Sequence, residues 1–216
     1  MNYTNPDFLI GAQALQQALA KPNQRLRVFD CTVFLRPDPP RYRVESGAAS
    51  FADSHIAGAA FLDLTGALSD ASSKLGFTLP APAHLQSALR EAGISDDSQV
   101  VLYSRGHMMW ATRVWWMLHS AGHENVAVLD GGFAAWRSVA GEVASGPAAA
   151  VPSGTFTIRH NAARWADKAE VLDAVERGTC RTINALSSEV YAGTAPVHYG
   201  RPGTFRAASA CPTTTF

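Results

Sequence analysis

The sequence predicts an α/β protein whose doubly wound parallel sheet has helices on both faces. Short apolar stretches alternate with segments whose apolar residues recur every three or four positions, and glycines stand where those segments end. Residues 100–103 are apolar without interruption, which is typical of a strand buried on both faces. Because parallel neighbours need a crossover connection, each predicted helix supplies one between two strands.

The first predicted elements are a helix over residues 9–19, where apolar residues share one face, and a strand over residues 26–29. Residues 36–54 are rich in Pro, Arg, Gly and Ser and predict a long irregular excursion. A short strand over residues 61–63 follows it. We therefore expect the first strand and this short strand to belong to one sheet.

The middle of the chain repeats the alternation more clearly. A helix is predicted over residues 84–92, a strand over 100–103, a second helix over 114–121 and a strand over 126–129. A further helix is expected to begin near Phe133, after a glycine-rich turn. These elements predict a sheet of about five strands, with residues 100–103 at its centre.

A boundary is predicted near residue 150. Residues 144–155 carry no charged side chain and have the composition of a surface linker, so we expect one domain over 5–143 and a second segment over 156–216. The second segment repeats the opening pattern: Asn184 follows a strand as Asp30 does, and Thr204 opens a turn in the place of His55. We expect an incomplete second repeat with too little apolar surface for a core of its own.

Composition excludes several classes of function. The chain has 216 residues, 18 of them Lys or Arg and 18 Asp or Glu, so its net charge is zero. Its charge therefore does not indicate binding to nucleic acid or to a membrane surface. Cys31, Cys180 and Cys211 are too scattered for a disulfide framework or a zinc site, and neither a metal nor a cofactor is expected. With no signal sequence and no long apolar stretch, we expect a cytoplasmic protein.

Several motifs together resemble the rhodanese family of sulfurtransferases. The matching segments are His55-Ile56-Ala57-Gly58-Ala59, Phe61-Leu62-Asp63, Val100-Val101-Leu102-Tyr103, Arg113-Val114-Trp115-Trp116-Met117-Leu118, Asn125 to Phe133 and, as the start of a second tandem domain, Glu189 to Gly193 with Pro202-Gly203. The resemblance implies a rhodanese-like fold and the transfer of a sulfane sulfur from thiosulfate or 3-mercaptopyruvate to a thiophilic acceptor. It implies a small sulfur-donor anion and a thiol or cyanide acceptor as partners, and, in two-domain members, a structural first domain and a second that holds the nucleophilic cysteine.

The resemblance places the nucleophile position at Ser104, in the loop after the central strand. Sulfur transfer passes through a persulfide on a thiolate, which a serine hydroxyl cannot form. The incomplete repeat would place the second copy of this loop beyond Phe216. We therefore expect the chain to lack the catalytic cysteine and to be weakly active or inactive.

The loop still carries candidate substrate-binding residues. They are Arg105, Gly106, His107, Met108 and Met109. Arg105 and His107 could hold an oxyanion, Gly106 lets the backbone approach closely, and the methionines could line an apolar wall, with the backbone N–H groups of 106–109 converging on one point. In the alternative interpretation, Met108 and Met109 pack against a partner domain and Arg105 is a solvated charge.

The three cysteines are not expected to be reactive. Cys31 is expected to be inert and partly buried, Cys180 structural, and Cys211 exposed and incidental.

A non-catalytic binding or regulatory module is the alternative to a sulfurtransferase. A hydrolase with Ser104 as nucleophile lacks both a nucleophile elbow and an identifiable base.

Overall fold

The structure is a computed structural model that describes residues 5–199, 201–204 and 208–211. It divides into two compact units. The first holds the chain up to Phe34 together with Glu45–Asn161, and the second holds Leu35–Val44 with the described residues from Ala162 onward.

The elements up to residue 144 include several short ones that the sequence patterns did not indicate. In chain order they are β1 (Leu9–Ile10), α1 (Ala12–Leu19), β2 (Leu26–Asp30), β3 (Val33–Asp38), β4 (Arg41–Ser46), α2 (Ala48–Asp53), β5 (His55–Ile56), β6 (Ala60–Phe61), α3 (Pro82–Glu91), β7 (Gln99–Tyr103), α4 (Met109–Ser120), β8 (Val126–Leu129), α5 (Gly132–Ser138) and β9 (Val143–Ala144). The excursion expected to be irregular over 36–54 contains the end of β3, all of β4 and α2. The helix expected over 9–19 begins only at Ala12, because Leu9–Ile10 pairs with β8 instead.

A five-stranded sheet lies at the centre of the first unit, in the order β1-β8-β7-β2-β6. Every pairing in it is parallel. The longest pairing joins β2 and β7 from Leu26 opposite Gln99 to Asp30 opposite Tyr103. The α/β fold class and the central position of residues 100–103 are thereby confirmed.

Side chains leave the sheet alternately on its two faces. On one face, Val28, Val101 and Tyr103 join a buried cluster with residues of α1, α2 and α5. The intervening residues Val100 and Leu102 point to the opposite face, where α4 contacts β7 and β8. Helices therefore cover the sheet on both sides, which leaves its carboxyl edge as the place where polar side chains from neighbouring strands can meet.

The predicted linker, residues 144–155, lies within the first unit. The Gly154 N–H donates to the Arg90 carbonyl at 2.7 Å, and the Phe156 side chain is fully buried. The first unit therefore extends to Asn161. The domain limits 5–143, 144–155 and 156–216 stay predictions.

The second unit contains the elements α6 (Lys168–Arg177), β10 (Ile183–Asn184), α7 (Ser188–Ala192) and β11 (Ser209–Ala210). β10 and β11 pair in parallel, with Asn184 opposite Ala210, as Asp30 lies opposite Phe61 in the first unit. The backbone hydrogen bond after each pair also recurs. The Leu62 N–H donates to the Asp30 carbonyl at 2.9 Å, and the Cys211 N–H donates to the Asn184 carbonyl at 2.8 Å. The turn expected from Thr204 runs into residues 205–207, which lie outside the described residues.

None of the helices in the described part of the chain combines the length and apolar character that crossing a membrane requires.

Candidate functional site

The candidate site is the loop between β7 and α4. β7 ends at Tyr103 and α4 begins at Met109, so Ser104 stands at the carboxyl edge of the central strand, where open parallel sheets place their ligands. The Ser104 side chain is buried and its hydroxyl donates to the His107 carbonyl at 2.9 Å. Between them, Gly106 adopts a left-handed conformation with φ of 72°, which glycine adopts without strain. The strand, loop and helix expected around Ser104 are therefore present.

His107 completes the first turn of α4. Its Nδ1 accepts the Met109 N–H at 3.1 Å, whereas the N-cap residue Met108 supplies no side-chain hydrogen bond. The imidazole thus takes the part that a serine or aspartate usually plays at a helix start. One of the N–H groups expected to converge on a ligand is directed at this ring, and convergence of the others stays a prediction.

Arg105 turns inward from the loop. Its Nε lies 3.6 Å from Asp30 Oδ2, and its side chain is only 19% exposed. One guanidinium nitrogen donates to the Ser54 carbonyl and, at 3.3 Å, to the Ser54 hydroxyl. The guanidinium carbon lies 3.8 Å from the centre of the Phe133 ring. Arg105 is therefore not the solvated charge of the alternative interpretation, while its role in binding a substrate stays a prediction.

Asp30 is the carboxylate that receives this cation. It is fully buried at the end of β2, and its Oδ1 accepts both the N–H of Thr32, at 2.9 Å, and the Thr32 hydroxyl. Burial raises the pKa of Asp30, and the hydrogen bonds from Thr32 and the Arg105 charge oppose that rise. The Thr32 hydroxyl oxygen also accepts the backbone N–H of Arg105 at 3.0 Å. Asp30 is therefore linked to the loop in two ways. Its carboxylate lies beside the Arg105 side chain, and it accepts hydrogen bonds from Thr32, which in turn accepts the Arg105 backbone N–H.

A second turn supports the loop from below. The Phe133 N–H, at the start of α5, donates to the Ser104 carbonyl at 3.3 Å. Gly132 has φ of 55°, and a Cβ placed there would lie 2.4 Å from that same carbonyl oxygen. Only glycine allows α5 to approach the loop this closely.

The cysteines differ sharply in their surroundings. Cys31 follows Asp30 directly and is fully buried; burial, with a smaller contribution from the Asp30 charge, raises the pKa of its thiol well above the ordinary value. Cys180 and Cys211 are exposed free thiols. Cys31 thus lacks both the access and the ionised form that a nucleophile needs, and Cys180 is not part of a packed structural site.

Two of the polar residues that the sequence patterns missed are Asp30 and Thr32. The signal for Asp30 is its place at the end of the first strand, because β2 and β7 lie side by side and end together. No pattern indicated that Arg105 would turn towards it.

Residues 11–139 match the sequence profile of the rhodanese-like domain family. The chain belongs to this family. It is 31% identical over 196 residues to the 3-mercaptopyruvate sulfurtransferase of Escherichia coli K12, a match that covers 91% of the chain and 66% of that relative. It is 34% identical over 132 residues to the thiosulfate sulfurtransferase of Gallus gallus, covering 59% of the chain and 43% of the relative. The chain thus spans less than two thirds of the length of these relatives.

Solved structures agree with the rhodanese fold. The crystal structure of SseA from Escherichia coli superposes with a TM-score of 0.78 at 28% identity, covering 95% of this chain and 74% of that one. The Tum1 protein of Saccharomyces cerevisiae gives a TM-score of 0.76 at 21% identity, covering 96% and 70%, and supports the fold alone. The family and its fold are therefore established for this chain.

Within the matched region of this rhodanese-like chain, Cys31 is the single cysteine. Ser104 is the first residue of the loop, and Cys31, next to the end of β2, is fully buried.

Proposed function

We propose that this chain is a sulfurtransferase-family protein whose rhodanese-like domain forms no persulfide of its own. The observation that carries the proposal is the burial of Cys31, the single cysteine in the matched region, whose raised pKa keeps its thiol protonated. The family's reaction would move a sulfane sulfur from thiosulfate or 3-mercaptopyruvate to a thiol or cyanide. On this chain we expect that activity to be weak or absent.

The chemical reason lies in the first step. A thiolate attacks the terminal sulfur of thiosulfate, a new sulfur–sulfur bond forms, and sulfite leaves with the electron pair of the broken bond. The Ser104 hydroxyl is not ionised at neutral pH and already donates to His107. The loop thus follows a central strand as in a rhodanese-like domain, but it lacks the thiolate nucleophile that the reaction needs.

A second candidate is a non-catalytic binding or regulatory module. It is favoured by the internal contacts of the loop: the Met109 N–H donates to His107 Nδ1, and the Arg105 side chain lies against Asp30. A loop held by its own contacts is suited to contact with another protein.

Thiocyanate release from thiosulfate and cyanide tests the proposal. We expect the wild type, Cys31→Ser and the double variant Cys180→Ser/Cys211→Ser all to stay at the buffer control. The double variant is needed because both exposed thiols could carry adventitious sulfur. Robust turnover by the wild type that is lost in Cys31→Ser would overturn the proposal and assign the nucleophile to Cys31.

A further inference from the structure

The strongest feature outside the proposed chemistry is the position of the Arg105 guanidinium. Arg105 is the second residue of the loop between β7 and α4, beside the exposed Gly106, yet its charge points away from solvent and into the protein. Arginine usually places its stem against the protein and its head in water. The inward position therefore requires something that compensates the lost hydration of a permanent cation.

Among the described residues, Asp30 is the acidic group paired with this guanidinium. The Ser54 carbonyl and hydroxyl and the Phe133 ring face the guanidinium, but they carry no net charge. Asp30 Oδ2 is buried and lies 3.6 Å from Arg105 Nε, which is longer than a hydrogen bond. The contact is therefore a charge attraction. Without the carboxylate, the cation would be held out of water by neutral groups alone, which is unfavourable.

We infer that Asp30 is an internal competitor for Arg105, an autoinhibitory contact that keeps the cation of the β7–α4 loop away from small oxyanions. Rotation about the bonds of the Arg105 side chain would bring its forked donors to the solvent side of the loop, beside the exposed Gly106. There the guanidinium would bind a sulfate-like or thiosulfate-like dianion through two charge-assisted hydrogen bonds. The inference deepens the proposed function, since it takes the loop to be the anion site.

Removal of the charge at Asp30 tests the inference. Binding of sulfate and of thiosulfate is measured by titration calorimetry at low salt for the wild type, Asp30→Asn and the double variant Asp30→Asn/Arg105→Gln. We expect Asp30→Asn to bind about tenfold more tightly than the wild type, because two charge-assisted hydrogen bonds are gained. The gain should disappear in the double variant and weaken as salt is added.

Two outcomes would overturn the inference: a folded Asp30→Asn protein that binds no more tightly than the wild type, or a gain that persists in the double variant. If Asp30→Asn does not fold, the same comparison is made with Asp30→Ser, which also removes the carboxylate, and the same gain is expected. A folded Asp30→Ser protein without that gain counts equally against the inference. Binding is measured here without sulfur transfer, so thiocyanate release by the wild type would defeat the proposed function and leave this contact untouched.

Discussion

The Ser104 hydroxyl donates to the His107 carbonyl across 2.9 Å, so the side chain in the nucleophile position is directed into its own loop. The same carbonyl belongs to the residue whose ring accepts the Met109 N–H. Ser104, His107 and the start of α4 therefore form one closed set of hydrogen bonds. A substitution at either Ser104 or His107 tests what this set contributes.

A thiol at position 104 should restore weak persulfide formation. In Ser104→Cys the new sulfur lies at the end of β7 beside the start of α4, where a helix N-terminus lowers a thiol pKa. Intact-mass measurement after incubation with thiosulfate should show the addition of one sulfur atom. The matched control is Ser104→Ala, and both are prepared with Cys180 and Cys211 replaced by serine. A thiol that reacts with iodoacetamide but gains no sulfur would contradict the prediction.

Gly132→Ala should destabilise the domain strongly. The new Cβ would meet the Ser104 carbonyl at 2.4 Å and would need a φ of 55°, so we expect a loss of about 3 kcal/mol or more. Gly58→Ala is the matched control, because Gly58 has φ of 80° with nothing within 4 Å of its Cβ position. There only the backbone strain remains, about 1 kcal/mol. Urea unfolding measures both, and equal losses would argue against the close approach of α5 to the loop.

His107→Ala should weaken the start of α4. The substitution removes the acceptor of the Met109 N–H, and loss of a capping acceptor costs about 1 kcal/mol. His107→Asn keeps a side-chain acceptor and should recover much of that stability. Urea unfolding compares the three proteins, and hydrogen exchange at the Met109 amide reports the bond itself. Exchange that is equally slow in His107→Ala would show that the ring does not protect this amide.

Stability should fall below about pH 6.5 because of His123. This imidazole is 2% exposed and lies edge-on to Phe156, and burial lowers its pKa from 6.5. The unfolded chain therefore takes up the proton first, so the contribution is intact above 6.5 and is lost as the pH falls towards the folded-state pKa. Each unit of difference in pKa corresponds to about 1.4 kcal/mol. Urea unfolding across this pH range should show a decline in the wild type that is smaller in His123→Gln; parallel curves would contradict the assignment.

The central strands could be predicted from the sequence because residues 100–103 of β7 and 126–129 of β8 are uninterrupted apolar runs. β1 could not, since two residues carry no periodicity and Leu9 becomes a strand only by pairing with Val128. The loop after Tyr103 could be predicted because a turn that follows a central parallel strand is a local pattern. The inward turn of Arg105 could not, because it depends on a carboxylate from another strand, brought alongside by the register of β2 and β7.

The exposed Ile183 bears on how the second unit opens. Its counterpart in β2, Phe29, is 1% exposed in a sheet whose faces are covered by helices, whereas Ile183 is 62% exposed and β10 pairs only with β11 among the described residues. A strand of two residues with one neighbour has little to lose on opening, and an apolar edge of this kind attracts other chains. Proteases should therefore cleave the second unit before the five-stranded sheet, and crowded solutions should aggregate through the edge that carries Ile183.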